Sequence, residues 1–337
     1  MTRVSPGPVV FCAAAGPRLG FGHLVRCRSL ARALGVEPVV ALRGSRSTRE
    51  RAVALGCTLA DITDAAGIRA LGSSLVVIDD PSPAHAARWL LRARRAGVPV
   101  ASVHDLGLAY IASDLLIDGS VRAGRAPAGS SLLSGPTYAI LDPSVARTRR
   151  TRPRPIPGRV LIALGGGHHV LTAAARLSAA LAGRVPHAEL RVARGFAARH
   201  ALPTLAFGTW FDAPRGLARE LAEASVAIVA GGVTLYEACA LGVPVIALAV
   251  TAAQRQTVRG LARQGAVVDG GGPPLSDACF AAVAETMVRL LASRAVCARQ
   301  ALTARRIVDG RGAHRVAARL RALARDARAG KEARRAA

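Results

Sequence analysis

Val226-Ala-Ile-Val-Ala-Gly-Gly-Val-Thr-Leu-Tyr-Glu-Ala-Cys-Ala-Leu-Gly-Val-Pro-Val-Ile-Ala-Leu248 is the stretch that decides the fold. Val226 to Ala230 is an apolar run of the length of a buried strand. Gly231-Gly232 breaks it and lets the backbone approach another group closely. Val233 to Leu241 has helical spacing, stopped by Gly242 and Pro244, and a second apolar run begins at Val243. Strand, glycine turn, short helix and strand make half of a nucleotide-binding α/β unit. A helix that opens on two glycines offers N–H groups and a positive dipole end to a phosphate. Thr234 can add a hydroxyl, and Glu237, a turn further on, a carboxylate for ribose hydroxyls. A tight turn followed by a solvated glutamate is the competing reading, and a glycine pair alone leaves both open.

The rest of the 337-residue chain repeats the pattern, which predicts an α/β protein of two doubly wound, Rossmann-like domains. In the first half, Val9 to Ala15 is a strand that leads into Gly16-Pro-Arg-Leu-Gly20-Phe-Gly22-His23. The helix from Leu24 to Leu34 then turns Leu24, Cys27, Leu30, Ala31 and Leu34 to one face. His23 stands at that helix start, where the dipole disfavours imidazolium, so a neutral ring able to take a proton is consistent with its place. A histidine bonded to backbone or water is the other reading. Further strands are predicted at Pro38–Arg43, Leu75–Ile78, Val98–Val103 and Leu115–Ile117, with a helix over Ser47–Leu55 capped by Ser47. Three of these strands run into acids: Asp79-Asp80, His104-Asp105 and Asp118. Ligands bind at that carboxyl edge of a parallel sheet, although a single acid there also serves as a helix cap.

Arg147 to Gly158, basic and proline-rich, reads as a linker between domain one (1–146) and domain two (159–327), with a frayed tail over 328–337. Domain two restarts with the strand Arg159–Leu164 and a loop Gly165-Gly166-Gly167-His168-His169. Its later strands are Glu189–Val192, Thr204–Phe207, Val226–Val229, Val245–Ala249 and Ala266–Val268.

Composition narrows the function. The net charge is +25, almost all from arginine, yet the arginines are spread over every helix without aromatic interleaving, so a nucleic-acid partner is not expected. No apolar run of 18 residues predicts a membrane span, and no signal peptide is read, so a cytoplasmic location is expected. Six cysteines without C-x-x-C spacing, and histidines without ligand spacing, predict no metal site and no cofactor.

The two domains, the linker and Gly231-Gly-Val-Thr-Leu-Tyr-Glu237 resemble the GT-B architecture. More narrowly, Gly20-Phe-Gly-His-Leu-Val-Arg-Cys27, Val77-Ile-Asp-Asp80, Gly135-Pro-Thr-Tyr138, Leu164-Gly-Gly166, Ala230 to Glu237, Leu241-Gly-Val-Pro244, Gln254 and Val308-Asp-Gly-Arg-Gly312 stand in one order along the chain. In that set the chain is similar to the nucleotide-sugar hydrolases of pseudaminic acid synthesis (PseG) and the related spore-coat polysaccharide proteins (SpsG). The resemblance implies a UDP-sugar as partner, with UDP held by the second domain across a cleft from the first. Glu237 would sit on the ribose and Gly231-Gly232 at the pyrophosphate. Gly20, Gly22, Arg26, Asp80, Gly165, Gly166, Thr234 and Gln254 would complete the binding set. His23 would be the catalytic base for a water that attacks the anomeric carbon, without a metal. The chain departs from the family pattern at Ala253 before Gln254, and at Gly167-His168-His169, where the family carries an acid. An acceptor hydroxyl as nucleophile, in a glycosyltransferase similar to MurG, is therefore the alternative.

Overall fold

The computed structural model describes residues 7–17, 19–105, 110–122, 124–151, 153–165, 170–196, 202–214 and 216–336. They fall into two compact units. Within the described residues, the first comprises the chain up to Gly16, His23–Asp142 and the segment from Arg311 on; the second comprises Pro17–Gly22 and Pro143–Gly310.

The first unit is built on seven strands: β1 (Val9–Ala14), β2 (Val39–Arg43), β3 (Thr58–Leu59), β4 (Leu75–Asp79), β5 (Val100–His104), β6 (Leu115–Asp118) and β7 (Ser131–Ser134). Their order is β3-β2-β1-β4-β5-β6-β7, and every neighbouring pair is parallel. β1 and β4 are buried at every position, as a central strand covered on both faces must be. Four helices fill the crossovers: α1 (Gly22–Leu34), α2 (Arg46–Ala54), α3 (Ala65–Ala70) and α4 (Pro83–Arg95). α1 buries Leu24, Cys27, Leu30, Ala31 and Leu34, the face its spacing predicted.

The second unit repeats the plan with six strands: β8 (Arg159–Ala163), β9 (Glu189–Ala193), β10 (Thr209–Phe211), β11 (Val226–Ala230), β12 (Val245–Leu248) and β13 (Val268–Asp269). Their order is β10-β9-β8-β11-β12-β13, again parallel throughout. The helices of this half are α5 (Pro143–Thr151), α6 (Leu171–Ala182), α7 (Ala218–Glu223), α8 (Val233–Leu241), α9 (Arg255–Arg263), α10 (Asp277–Ala292) and α11 (Arg294–Ile307). Leu177, Leu181, Phe280, Val283 and Met287, from α6 and α10, close over Ile162, Val192 and Ile228 of the sheet. The last helix, α12 (Gly312–Ala336), belongs to the first unit.

Four expectations change. The 147–158 stretch is not uniformly irregular, because α5 occupies its start. Arg149 on α5 donates to the carbonyls of Ala240 (2.5 Å), Val308 (3.1 Å) and Arg305 (3.1 Å). A guanidinium there satisfies helix-end carbonyls that have no partner within their own helices. The segment 328–336 continues α12 and is not a separate tail. Ser45, not Ser47, caps α2, accepting from the Thr48 N–H at 3.3 Å.

The strand expected over Thr204–Phe207 forms instead at Thr209–Phe211. The Phe207 N–H donates to the Ser178 hydroxyl at 3.1 Å, and the same hydroxyl donates back to its carbonyl, so a side chain takes the place of the ladder. Gly208 follows at φ +86°, where a Cβ would lie 2.5 Å from the Leu190 carbonyl oxygen, and only then does pairing begin. Among the described residues no helix is long and apolar enough to cross a membrane.

Arg149→Met removes three bonds to carbonyls at two helix ends. It should lower unfolding stability by about 1–3 kcal/mol, read as a fall in the urea midpoint at unchanged slope.

Candidate functional site

In each unit the strand order reverses between two adjacent parallel strands, β1 and β4 in the first, β8 and β11 in the second. The crevice outside the carboxyl ends of such a pair is where open α/β sheets bind ligands. His23 follows β1 on the first turn of α1, and Asp79 closes β4, so the chemistry-bearing residues of the first unit gather at its reversal point.

His23 Nδ1 lies 2.7 Å from Asp79 Oδ1. Arg26, one turn along α1, donates from Nε to Asp79 Oδ2 (2.7 Å), from Nη2 to Asp79 Oδ1 (2.5 Å) and from Nη1 to Asp105 Oδ2 (2.5 Å). Burial pushes the Asp79 carboxyl upward, but the charges of Arg26 and His23 and their hydrogen bonds outweigh it and hold its pKa at about 2. An ionised carboxylate only accepts, so Nδ1 of His23 carries the hydrogen. Arg26 Nη2 also stands 3.1 Å from His23 Nδ1. Since Nδ1 donates, that approach is two donors converging on Asp79 Oδ1 rather than a bond between them. In the uncharged tautomer the lone pair therefore falls on Nε2. The His23 side chain is 16% exposed, whereas Asp79 is 1% exposed. A partly open imidazole oriented by a sealed carboxylate is the arrangement of a general base.

A pocket opens over this pair, with His23, Asp79, Asp80, His104 and Asp105 in its lining. His104 is buried, and burial lowers its pKa against the pull of Asp118 and Asp79. Its ring packs edge-on against Tyr110 at 4.8 Å, and the Tyr110 hydroxyl donates to Asp118 Oδ2 at 2.7 Å.

The residues singled out from sequence divide as follows. Arg26 was expected to touch substrate, but it is 7% exposed and turned inward onto two carboxylates, so it supports the site from below. Asp80 lines the pocket with its carboxylate already engaged by Arg43 Nε (2.9 Å), Arg43 Nη2 (2.6 Å) and the Ser82 N–H (2.9 Å). Gly20 lies at φ +80° before the helix, and Gly22 opens α1. In the second unit Gly165 follows β8, while Gly166 and the expected His168-His169 loop lie outside the described residues.

Gly231 follows β11, with its N–H on the Leu248 carbonyl (2.9 Å); the Gly232 N–H is on the Ala230 carbonyl (2.8 Å). The N–H groups of these two glycines are therefore engaged, and what α8 presents comes from the residues after them. No side chain caps α8. Gly231 is needed for space: a Cβ there would meet Gln254 Cβ and Val258 Cγ2, each at 2.9 Å. Gln254 accepts from the Val250 N–H at 3.0 Å and so folds the segment after β12 against that turn. Thr234 and Glu237 stand part-exposed on the first and second turns of α8.

Asp79 and the His104-Asp105 pair line the same pocket as His23 and Asp80 but were not singled out as candidate site residues. Both were visible as strand ends that run into polar residues. Among the described residues no cluster of three metal-ligating side chains occurs.

This pair of doubly wound units is the GT-B fold. No protein-family model and no curated protein sequence matches the chain. Solved structures do. MurG of Acinetobacter baumannii aligns with TM-score 0.61 at 16% identity, over 93% of this chain and 99% of its own. The spinosyn forosaminyltransferase SpnP aligns with TM-score 0.62 at 18% identity, over 95% of this chain and 100% of its own. The spinosyn rhamnosyltransferase SpnG, complexed with thymidine diphosphate, aligns with TM-score 0.60 at 18% identity over 94% and 100%. At these identities the likeness is one of fold.

The Asp79 pKa generates a prediction. A carboxyl held near 2 in the folded state and near 3.8 otherwise contributes stability that is complete above about pH 4 and is lost as pH falls towards 2. Denaturation midpoints between pH 5 and pH 2 should fall by the equivalent of roughly 2 kcal/mol more in the wild type than in Asp79→Asn.

Proposed function

We propose that the protein is an enzyme acting on a nucleoside-diphosphate sugar, with His23 as the general base, transferring the sugar to a hydroxyl acceptor. The observation that carries this reading is the 2.7 Å bond from His23 Nδ1 to the buried Asp79 carboxylate. With the hydrogen fixed on Nδ1, Nε2 takes the proton of an attacking hydroxyl. The oxygen bonds to the anomeric carbon, the bond to the diphosphate breaks, and the electron pair leaves with the nucleotide. Asp79 stabilises the imidazolium that results, as the carboxylate of a catalytic triad does.

The nucleotide side is assigned to the second unit. The start of α8 after Gly231-Gly232, with Thr234, is offered to the diphosphate, since a helix N-terminus stabilises negative charge there as the leaving group forms. Glu237 is assigned to the ribose. Solved structures of the same fold support a nucleotide-sugar substrate: two carry glycosyltransferase names, and one of those was solved with thymidine diphosphate. UDP is the first nucleotide to test, on the resemblance of Gly231 to Glu237 and of Gly20 to Cys27 to the UDP-sugar family. The same resemblance favours a second reading, hydrolysis of a UDP-activated amino or deoxy sugar, with water in place of the acceptor. The geometry at His23 serves either nucleophile.

A panel of UDP- and TDP-sugars, each incubated with and without hydroxyl acceptors, separates the two. Transfer predicts slow release of free sugar alone and product formation when an acceptor is added. Free sugar and nucleotide formed at one rate regardless of acceptor establishes hydrolysis. His23→Ala should lower turnover at least about 100-fold while nucleotide affinity stays within two-fold. Turnover that survives the substitution rejects His23 as base.

A further inference from the structure

The pocket over His23 holds a second imidazole whose hydrogen positions the surrounding hydroxyls dictate. Ser113 Oγ donates to the Leu115 carbonyl at 3.0 Å. Assigning its single hydrogen to that carbonyl, which can only accept, makes Ser102 the donor in the 2.7 Å bond between Ser102 Oγ and Ser113 Oγ. Ser102 then has no hydrogen left for its 2.7 Å bond with His104 Nε2, and can only accept in it. His104 Nε2 therefore carries the hydrogen. Burial keeps the ring neutral at pH 7, so Nδ1 is left with a lone pair. His104 is 7% exposed, and among the described residues Nδ1 has no bonding partner. Nδ1 is not sealed, so the hydrogen it accepts comes from solvent or from a ligand in the pocket.

Beside it, Asp105 is 26% exposed and bonded through Oδ2 to Arg26. Three carboxylates line this pocket, Asp79, Asp80 and Asp105, against two guanidiniums bonded to them, Arg26 and Arg43, which leaves one negative charge in excess. Among the described residues no lysine or arginine is in the lining, although the chain as a whole carries +25. His23 Nε2, His104 Nδ1 and the Asp105 carboxylate all accept.

We propose that His104 and Asp105 form a substrate subsite that only accepts hydrogen bonds, and that it binds the hydroxyl or ammonium groups of a neutral or amino sugar while excluding a carboxylated one. This rests on the reading of the His23 pocket as a glycosyl site, and it assigns the chemistry of the group held there. A carboxylate or phosphate would bring acceptors to acceptors and a second negative charge to a site already negative. An ammonium group gains from the excess charge as well as from the bonds.

The test uses the whole protein with ¹⁵N-labelled histidine. In the wild type, His104 should show a pyridine-like Nδ1 and a pyrrole-like Nε2. Its Nδ1 signal should move on titration with glucosamine and with glucose, glucosamine binding at least as tightly, and glucuronate about ten-fold more weakly or not at all. His104→Phe should weaken glucose binding about ten-fold, and Asp105→Asn should abolish the advantage of glucosamine over glucose. His104→Gln supplies a second assignment of the signal. If His104→Phe does not fold, the wild-type tautomer and titration decide alone. A pyrrole-like Nδ1, glucuronate binding as tight as glucose, or no response to any of the three sugars overturns the proposal. UDP and TDP affinity and donor cleavage are measured on the same samples. Cleavage without a sugar response at His104 defeats this inference alone, while absence of nucleotide binding and cleavage defeats the functional reading itself.

Discussion

A carboxylate with 1% exposure is tolerable only if its charge is met, and Asp79 is met three times over by Arg26 and His23. That constraint organises the first unit. Removing Arg26 would leave an uncompensated charge in a low-dielectric interior, at a cost of several kcal/mol. α1 must therefore approach β4 so that residues 23 and 26, on adjacent turns of one helix face, both reach the end of that strand. The same contact orients the imidazole. Positioning the base and neutralising the buried acid are one interaction.

The excess of arginine has a structural share. Arg149 reaches carbonyls at the ends of α8 and α11, Arg321 those of Ala33 and Leu34 at the end of α1, and Arg28 that of Leu55 after α2. Arg69 does the same for the Arg95 carbonyl at the end of α4. A forked, permanently charged donor suits the negative end of a helix, where several carbonyls lack partners. A chain rich in alanine and poor in aromatic residues closes its helix ends with guanidiniums. The pocket over His23 stands apart from this pattern, because Arg26 and Arg43 beside it are bonded to acids and its lining, among the described residues, carries no arginine.

The alternation of apolar runs with helical spacing, broken by glycines, was legible for the central strands of both sheets, whereas the short edge strands β3 and β7 carry no such run. Where local signals failed, a tertiary partner had taken over. Ser178 claims both backbone groups of Phe207 and delays β10, and the carbonyls of α8 and α11 give Arg149 in α5 a use that its basic, proline-rich surroundings concealed. His23 was legible because a glycine loop before a helix is a local pattern.

The linear order of residues by itself determined two doubly wound halves, the helix that begins at His23, and the strand ends at which acids collect. It did not determine which acid matters. Asp79 and Asp80 are neighbours on an extended backbone, so their side chains leave on opposite sides. One meets Arg26 and His23, the other Arg43, and only the parallel register of β1, β2 and β4 decides which. The hydrogen on His104 depends likewise on serines that meet only once the sheet and the segment before β6 have folded together. Spacing along the chain fixes periodicity and breaks, while the direction of a hydrogen bond is set by partners that only the folded chain brings together.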